Sequence, residues 1–415
     1  MFKILKRNVC GLDVHKTWVY ACIGITDSHD ITQYFQERFS TFVDGLEKLV
    51  LWLKQHDCCD VCMESSGKYW IPVHNILEAY DIKTCVAHPK YTKPVKGNKT
   101  DRKDAKWICD LYACGMVKGS FIPPLDIRSL RELTRYRAKL QNNKTSEKNR
   151  VLNCLTVSNM KLDDVFSDVF GKSGSSIVRY MIDHPGEKFD VAPFVNKQCK
   201  KPIADIQKAV EGAISKQTAE LMRIHMDHIA ELEDHIDQLD KKIALLTASH
   251  SQSLALLGTV PGISADSITA KTILAEIGDD MSVFPTAKHL VSYCGCCPRN
   301  DQSANKVKCN HISHAGTYLK PVLFQTANAI IRSAKYPEIK RLFGRVKARH
   351  GHKKAIIAVC NMLLTAIWHV LSKKTPYNPA GYLTGEPIKS QVKQTISREE
   401  AVQLLSRMGF EIQNT

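Results

Sequence analysis

The chain has 415 residues, which exceeds what one hydrophobic core ordinarily supports and predicts two or three domains. Its 58 Lys and Arg outnumber its 42 Asp and Glu, and the formal net charge of +16 at pH 7 favours a polyanionic partner, nucleic acid first. The segment Met1 to Arg7 is charged too early for a secretory signal peptide and the 15 cysteines are an odd number, so we expect reduced thiols in a cytoplasm rather than a secreted protein.

Strand and helix patterns alternate in residues 1–125. Three β-rich runs precede a helix with apolar i, i+3, i+4, i+7 spacing, and two further strands alternate with helices after it. This element order is that of a ribonuclease H-like (RuvC-like) α/β domain. The predicted elements are strands at Asn8 to Asp13, Thr17 to Ile25, Ile31 to Phe39, Val61 to Glu64 and Thr84 to Ala87, and helices at Leu46 to Gln55, Tyr69 to Tyr80 and from about Asp101.

A basic helix and a heptad series dominate residues 126–250. The helix, Arg128 to Leu155, carries eight Lys or Arg between Arg128 and Arg150, which suits a nucleic-acid backbone or a solvated helix face. The heptad series predicts either one long helix packed on its own chain or an intermolecular coiled coil. Its apolar members are Met222, Ile229, Leu232, Ile236, Leu239, Ile243 and Leu246.

Residues 251–375 are predicted to form a mostly α-helical domain, and residues 376–415 a polar tail. The turn Pro261-Gly262-Ile263 resembles a helix-hairpin-helix, which suits either phosphate contact or simple packing. The stretch Ala355 to Leu371 approaches membrane-spanning length, but polar residues interrupt it and cationic sequence precedes it. We therefore expect a buried helix and no membrane partner.

Four carboxylates occupy positions from which they can converge. Asp13 ends the first predicted strand and Glu64 ends the fourth, and adjacent strand ends can place the two side chains next to each other. Asp101 and Asp104, at i and i+3, share one face of a helix. Such acids repel one another unless cations neutralise them, and hard oxygen ligands select Mg²⁺ or Mn²⁺. The pattern predicts a metal site for in-line phosphoryl transfer.

Three motifs around these acids, GLDVHK, MESSGKYW and KTDRKDA, resemble the DEDD-type transposases of bacterial insertion sequences, the "one-ten" family. Later blocks of that family are similar, in order, to VPGISADSITAKTILAEIGD and CCPRNDQSANKVKCNHISHAGTYLKPVLFQTA. The resemblance runs from about Val9 to Leu371 and is weak between Thr156 and Lys216. It implies a RuvC-like domain in residues 1–125, a coiled-coil linker in residues 126–250, and a C-terminal transposase domain in residues 251–375.

The resemblance also implies the catalytic residues and the partners. The family's four metal-binding acids fall on Asp13, Glu64, Asp101 and Asp104, and its serine nucleophile falls on Ser303. Ala304 stands where a glycine is common in the family. The same likeness implies a covalent phosphoserine intermediate, with donor and target DNA as substrates. It also implies a noncoding bridge RNA as guide, a dimer or tetramer, and a location in the bacterial cytoplasm. The expected nucleic-acid contacts are Lys16, Arg131, Arg135, Arg137, Lys139, Arg299, Lys306 and Lys308.

Other interpretations of the same residues stay open. Asp101 would also favour a helix N-terminus without binding metal, and a loop serine such as Ser303 is ordinarily a solvated turn residue. A RuvC-like nuclease acting on branched DNA would use metal-activated water and no serine, and a non-enzymatic coiled-coil protein would bind nucleic acid without cutting it. The possible zinc ligands fit no common zinc-finger spacing; they are Cys294, Cys296, Cys297, Cys309, His311 and His314. The positions of Cys294, Cys296 and Cys297 are usually apolar in the family that the chain resembles, so we interpret these three cysteines as buried apolar residues.

Overall fold

The chain forms a mixed α/β unit, Met1–Pro124, and a mostly helical unit, Leu125–Thr415. The computed structural model describes residues 3–92, 100–298, 301–303, 306–309 and 311–379. The expected fold class, a mixed α/β N-terminal region followed by a mostly helical remainder, is confirmed. Most of the predicted polar tail, from residue 380 onward, lies outside the described residues.

The N-terminal unit is built on a five-stranded sheet with the strand order β3-β2-β1-β4-β5. The first three strands form an antiparallel meander, whereas β4 runs parallel to both β1 and β5. The elements are β1 (Asn8–Val14), β2 (Trp18–Thr26), β3 (Thr32–Ser40), α1 (Val43–Gln55), β4 (Asp60–Glu64), α2 (Trp70–Ala79), β5 (Lys83–Ala87), α3 (Pro89–Thr92) and α4 (Asp101–Ala113).

Both faces of the central strands are buried, which explains why the middle of β1, Val9 to Leu12, and the middle of β4, Val61 to Met63, carry no polar side chain. Leu12 of β1 and Met63 of β4 share one core with residues of α1 and α2. Val9 of β1 and Cys62 of β4 share the core on the other face with residues of α4. The two cores hold the central strands rigidly, so residues at the ends of these strands have fixed positions.

The C-terminal unit contains helices and one short two-stranded antiparallel sheet among the described residues. The elements are α5 (Leu125–Val157), α6 (Leu162–Val165), α7 (Lys172–Asp183), α8 (Ile203–Ala209), α9 (Lys216–Thr247), α10 (Ser251–Leu257), α11 (Ile268–Ile277), α12 (Ala287–Tyr293), β6 (Asp301–Ser303), β7 (Lys306–Cys309), α13 (Leu319–Arg332), α14 (Pro337–His350) and α15 (His352–Lys373), with single 3-10 turns at Ala192–Phe194, Ala248–His250 and Met281–Val283.

The heptad series lies on α9, and α9 packs along α5 of the same chain. Met222, Ile229 and Ile243 are almost completely buried, whereas Leu246, the last member of the series, is 39% exposed. The seam is therefore used within the chain, which is the first of the two predicted arrangements. The segment between α5 and α9, which has little pattern in the sequence, folds into α6, α7 and α8 and shares a core with both long helices.

Helix α15 contains the stretch that approaches membrane-spanning length. It passes the length and composition test for a membrane span, but 61% of its most apolar window is buried inside the protein. It packs against α12, α13 and α14. The expectation of a buried helix is confirmed, because α15 is the central helix of this part of the core.

Candidate metal centre

Two of the four acids lie at neighbouring strand ends. Asp13 is the penultimate residue of β1 and Glu64 is the last residue of β4. The two strands are parallel and pair Leu12 with Met63, one residue before each acid. Since both strands run in the same direction, the two carboxylates emerge at the same edge of the sheet.

The other two acids lie in the first turn of α4. Thr100 precedes the helix in an extended conformation and its side-chain oxygen accepts a hydrogen bond from the Lys103 N–H, so it caps the helix. Asp101 and Asp104 then fall on one helix face, where the helix dipole favours negative charge. All four acids line one open pocket of about 530 Å³, together with the exposed Lys16.

His15 joins the acids although the sequence pattern assigned it no role. Its Nε2 atom lies 3.1 Å from Asp13 Oδ2 and 3.6 Å from Asp101 Oδ1. Burial raises the pKa of the Asp13 carboxyl, the proximity of Asp101 and Asp104 raises it further, and His15 opposes the rise. A bound cation would remove this cost of assembling negative charge, because it stabilises the ionised carboxylates.

Glu64 is held by two hydroxyl groups. The Thr92 hydroxyl donates to Glu64 Oε2 at 2.6 Å, and the Ser66 hydroxyl donates to Oε1 at 3.0 Å. Thr92 is itself fixed, because Trp107 Nε1 donates to its carbonyl oxygen at 3.1 Å. Ser66 belongs to the MESSGKYW motif, which is recognisable in the sequence. Thr92 could not be identified from the sequence, because α3 lies next to Glu64 only in the folded structure.

The donor set fits a divalent cation. Single ligand atoms of Asp13, His15 and Asp101 all lie within 4.8 Å of one another, close enough to share one ion. Carboxylate oxygens are the ligands that Mg²⁺ and Mn²⁺ prefer, and imidazole suits transition metals such as Mn²⁺. Glu64 and Asp104 line the same pocket and can complete the coordination.

Three of the expected nucleic-acid contacts are engaged inside the C-terminal unit. Arg131 donates to the carbonyl oxygens of Ala275 and Glu276, and Arg135 forms a bidentate pair with the Glu276 carboxylate at 2.7 and 2.8 Å. Arg137 forms a similar pair with Asp240, at 2.6 and 2.9 Å. These guanidinium groups therefore stabilise helix packing in this state.

Lys139 differs from the three arginines. It is exposed, it lines a pocket of about 420 Å³ between α5, α11 and α13, and it has no hydrogen bond or ion pair within the described part of the chain. A solvent-exposed ammonium group of this kind is available to bind a phosphate.

The candidate nucleophile lies in the short sheet of the C-terminal unit rather than in a loop. Ser303 is the last residue of β6 and pairs with Lys306 of β7, and Lys308 lies in the same strand. The structure describes the backbone of these three residues, and Arg299 lies outside the described residues. Cys294 and Cys296 are buried and Cys297 is half-buried, as expected for apolar positions, and the 14 cysteines whose side chains the structure describes are free thiols.

Two family models match the chain. One, described as "Transposase", matches residues 10–160 and includes all four acids, and the other, described as "Transposase IS116/IS110/IS902 family", matches residues 254–343 and includes Ser303. The two matches follow each other in the order of the chain.

Curated relatives agree with the family models. The chain is 35% identical over 158 residues to a "Pilin gene-inverting protein" of Moraxella bovis, covering 37% of this chain and 48% of the relative, so it spans about half of that protein's length. It is 24% identical over 336 residues to a "Probable family 20 transposase" of Pseudomonas aeruginosa, covering 79% and 88%. An "Insertion element IS110 uncharacterized 43.6 kDa protein" of Streptomyces coelicolor is 30% identical over 148 residues, covering 34% and 35%. The chain belongs to the IS110 family of insertion-sequence transposases.

Proposed function

We propose that the chain is a DNA transposase that cleaves and rejoins DNA strands with Mg²⁺ or Mn²⁺ bound at Asp13, Glu64, Asp101 and Asp104. The observation that carries this proposal is the presence of all four carboxylates in one pocket at the edge of the sheet. The four positions come from two strands and one helix that are distant in sequence, so their meeting is a property of the fold. Isolated strand-end or helix-start acids would not converge in this way.

The strand order supports a ribonuclease H-like, RuvC-like N-terminal domain. This fold class has an antiparallel meander of three strands followed by two parallel strands, with acids near the ends of the first and fourth strands. The N-terminal unit has the same strand arrangement, and its acids lie near the ends of β1 and β4. We propose the domain limits 1–125, 126–250 and 251–375. In the region 126–250, helices α5 and α9 pack against each other along their length and form the proposed helical linker.

In the proposed reaction the cation and the protein side chains have different roles. When bound, a divalent cation lowers the pKa of an attacking hydroxyl and stabilises charge on the phosphate. The acids hold and orient the cation, and Thr92 and Ser66 restrict the rotation of Glu64. Lys16, exposed at the same pocket, supplies positive charge to the DNA backbone.

The strand-transfer step uses Ser303 as nucleophile. The serine Oγ attacks a scissile phosphorus, a Ser–O–P bond forms, and the P–O bond to the departing DNA hydroxyl breaks. The proton lost by the serine passes to the departing oxygen, so charge and atoms balance. Attack by another DNA hydroxyl reverses the step and releases the serine, which conserves the phosphodiester bond energy. The acids lie in the N-terminal unit and Ser303 in the C-terminal unit, and they act together either within one subunit or between two.

Donor and target DNA are the proposed substrates, and a noncoding bridge RNA is the proposed guide. The net charge of +16 supports a polyanionic partner without distinguishing RNA from DNA. The related Moraxella protein is named for inverting a gene, which supports strand exchange by a shared mechanism. We further propose a dimer or tetramer in the bacterial cytoplasm, where the free thiols of the described cysteines would stay reduced.

The decisive experiment combines the purified protein, its co-purifying RNA and DNA carrying the ends of the element, with and without Mg²⁺. We expect Mg²⁺-dependent cleavage and a covalent protein–DNA adduct, both absent in Asp13→Asn and the adduct absent in Ser303→Ala. Asp44→Asn, an exposed acid on α1, is the matched control and should behave as wild type. Cleavage without any adduct would favour the water-dependent nuclease, and DNA binding without cleavage would favour the non-enzymatic protein.

A further inference from the structure

Trp18, the first residue of β2, contacts one of the acids of the pocket, Asp101, through the only polar atom of its side chain. The indole Nε1 donates a hydrogen bond to Asp101 Oδ2 at 3.2 Å. The indole N–H is a donor and cannot accept, so it fits an ionised carboxylate and no cation. Trp18 is therefore a neighbour of a metal ligand and cannot be a ligand itself.

Two further contacts fix the orientation of the Trp18 ring. The His15 ring packs against it with centroids 5.1 Å apart, and the Arg38 guanidinium lies 4.5 Å from the ring centroid in a cation–π arrangement. His15 follows β1 and Arg38 lies on β3, so the indole is tied to both neighbours of its own strand. Its N–H consequently points in a defined direction.

Asp101 needs such a partner more than Asp13 does. The Asp101 side chain is 44% exposed, whereas that of Asp13 is 18% exposed. An exposed aspartate in the first turn of a helix exchanges between rotamers, and this freedom is lost when a metal ion binds. A hydrogen bond to one oxygen, Oδ2, removes part of this cost in advance and leaves Oδ1 on the side of His15.

We propose that Trp18 is a positioning residue that holds the Asp101 carboxylate in the orientation in which it binds the metal ion. This inference rests on the proposed function, because it requires that the acids bind a metal. Residues that hydrogen-bond to metal ligands commonly contribute about 10- to 100-fold in metal affinity. Substitution of Trp18 should therefore lower the affinity of the protein for the metal ion and leave the stability of the fold unchanged.

The test is direct measurement of Mn²⁺ binding to the full-length protein, in which the electron paramagnetic resonance signal of free Mn²⁺ reports the unbound ion. Trp18→Phe keeps an aromatic ring between His15 and Arg38 and removes the indole N–H together with part of the bicyclic ring. We expect this variant to bind Mn²⁺ about 10-fold more weakly than wild type. Trp52→Phe, an α1 substitution in the core near Phe39, is the matched control and should leave the Mn²⁺ affinity unchanged.

The outcomes separate the two proposals. If wild-type protein and Asp101→Asn bind Mn²⁺ equally or not at all, the proposed metal centre is wrong. If Asp101→Asn loses affinity but Trp18→Phe keeps it, the metal centre stands and the role of Trp18 is overturned. Should Trp18→Phe fail to fold, replacement of Trp18 with 3-benzothienylalanine, which has the shape of tryptophan but no N–H, gives the same comparison.

Discussion

A Cβ atom on Gly11 of β1 would come within 2.3 Å of the Ala105 carbonyl oxygen on α4. Real Cβ atoms do not approach backbone oxygen this closely, so only glycine allows α4 to lie directly on the sheet. Ala105 follows Asp104 immediately and lies one turn after Asp101. Because Gly11 has no side chain, α4 can pack closely against β1, and this packing places Asp101 and Asp104 near Asp13 and Glu64.

Gly11→Ala should lift the start of α4 from β1. We expect a loss of about 1–3 kcal/mol in the free energy of unfolding, and weaker Mn²⁺ binding in the protein that still folds. Urea unfolding and Mn²⁺ titration measure the two effects. Gly344→Ala, on α14, is the matched control, because nothing lies within 4 Å of the added Cβ. A Gly11→Ala protein with wild-type stability and Mn²⁺ affinity would show that α4 is placed by other contacts.

The sequence predicted the sheet and the acids for a physical reason. Segments of strand that are buried on both faces must be apolar, so the acids that follow them, Asp13 next to the end of β1 and Glu64 at the end of β4, are visible as interruptions. The start of α4 is equally visible, because Thr100 caps it and its first turn is acidic.

Contacts that depend on tertiary structure could not be predicted in the same way. Trp18 and Asp101 are 83 residues apart, and neither has a local pattern that identifies the other as its partner. The contacts of the α5 arginines were equally hidden from the sequence. Their clustering suggested an exposed basic surface, but Arg135 and Arg137 meet Glu276 and Asp240, which come from parts of the chain that sequence spacing does not connect.

Thr92→Val should impair the metal centre while keeping the shape of the side chain. Thr92 is 1% exposed, and its substitution removes the hydroxyl that donates to Glu64 Oε2. A hydrogen bond to a charged group is worth about 1.5–3 kcal/mol, so we expect Mn²⁺ affinity to fall about 10-fold. Ser66→Ala removes the longer bond to Glu64 Oε1 and should cost less. Equal Mn²⁺ affinity in wild type and Thr92→Val would contradict a role for Thr92 in orienting Glu64.

Substitutions of Arg131 and Lys139 should have different effects: the first should lower the stability of the fold, and the second should weaken DNA binding. Arg131 is largely buried, burial lowers the pKa of its guanidinium, and its donors satisfy the carbonyl oxygens of Ala275 and Glu276 near the end of α11. Arg131→Gln should lower the free energy of unfolding by about 2 kcal/mol. Lys139→Gln should leave stability unchanged and reduce the salt dependence of DNA binding by about one phosphate contact.

Thermal unfolding and DNA titrations over a range of salt concentrations measure these two effects. A stable Arg131→Gln protein with a reduced salt dependence would show that Arg131 leaves its helix contacts and binds DNA directly. A Lys139→Gln protein with an unchanged salt dependence would remove Lys139 from the DNA-binding surface.

Glu147 should make the packing of α5 on α9 sensitive to acid. Its side chain is 6% exposed, accepts a hydrogen bond from His225 Nδ1 at 2.8 Å, and lies beside His228 and Arg150. Burial alone would raise the pKa of Glu147, but the His225 hydrogen bond and the charges of Arg150, His225 and His228 outweigh it and hold the pKa below its ordinary value.

A carboxyl group with a lowered pKa in the folded state stabilises the protein above the pKa that it has when unfolded, about 4. This contribution is lost as the pH falls through the lower, folded-state pKa. We expect Glu147→Gln to lower the melting temperature at pH 7 and to leave a smaller decrease in stability between about pH 5 and pH 3 than wild type shows. Asp44→Asn, at an exposed position on α1, is the control and should follow the wild-type pH profile. If Glu147→Gln and wild type lose stability in parallel over this range, the charge of Glu147 does not stabilise the helix pair, and its buried contacts act through shape alone.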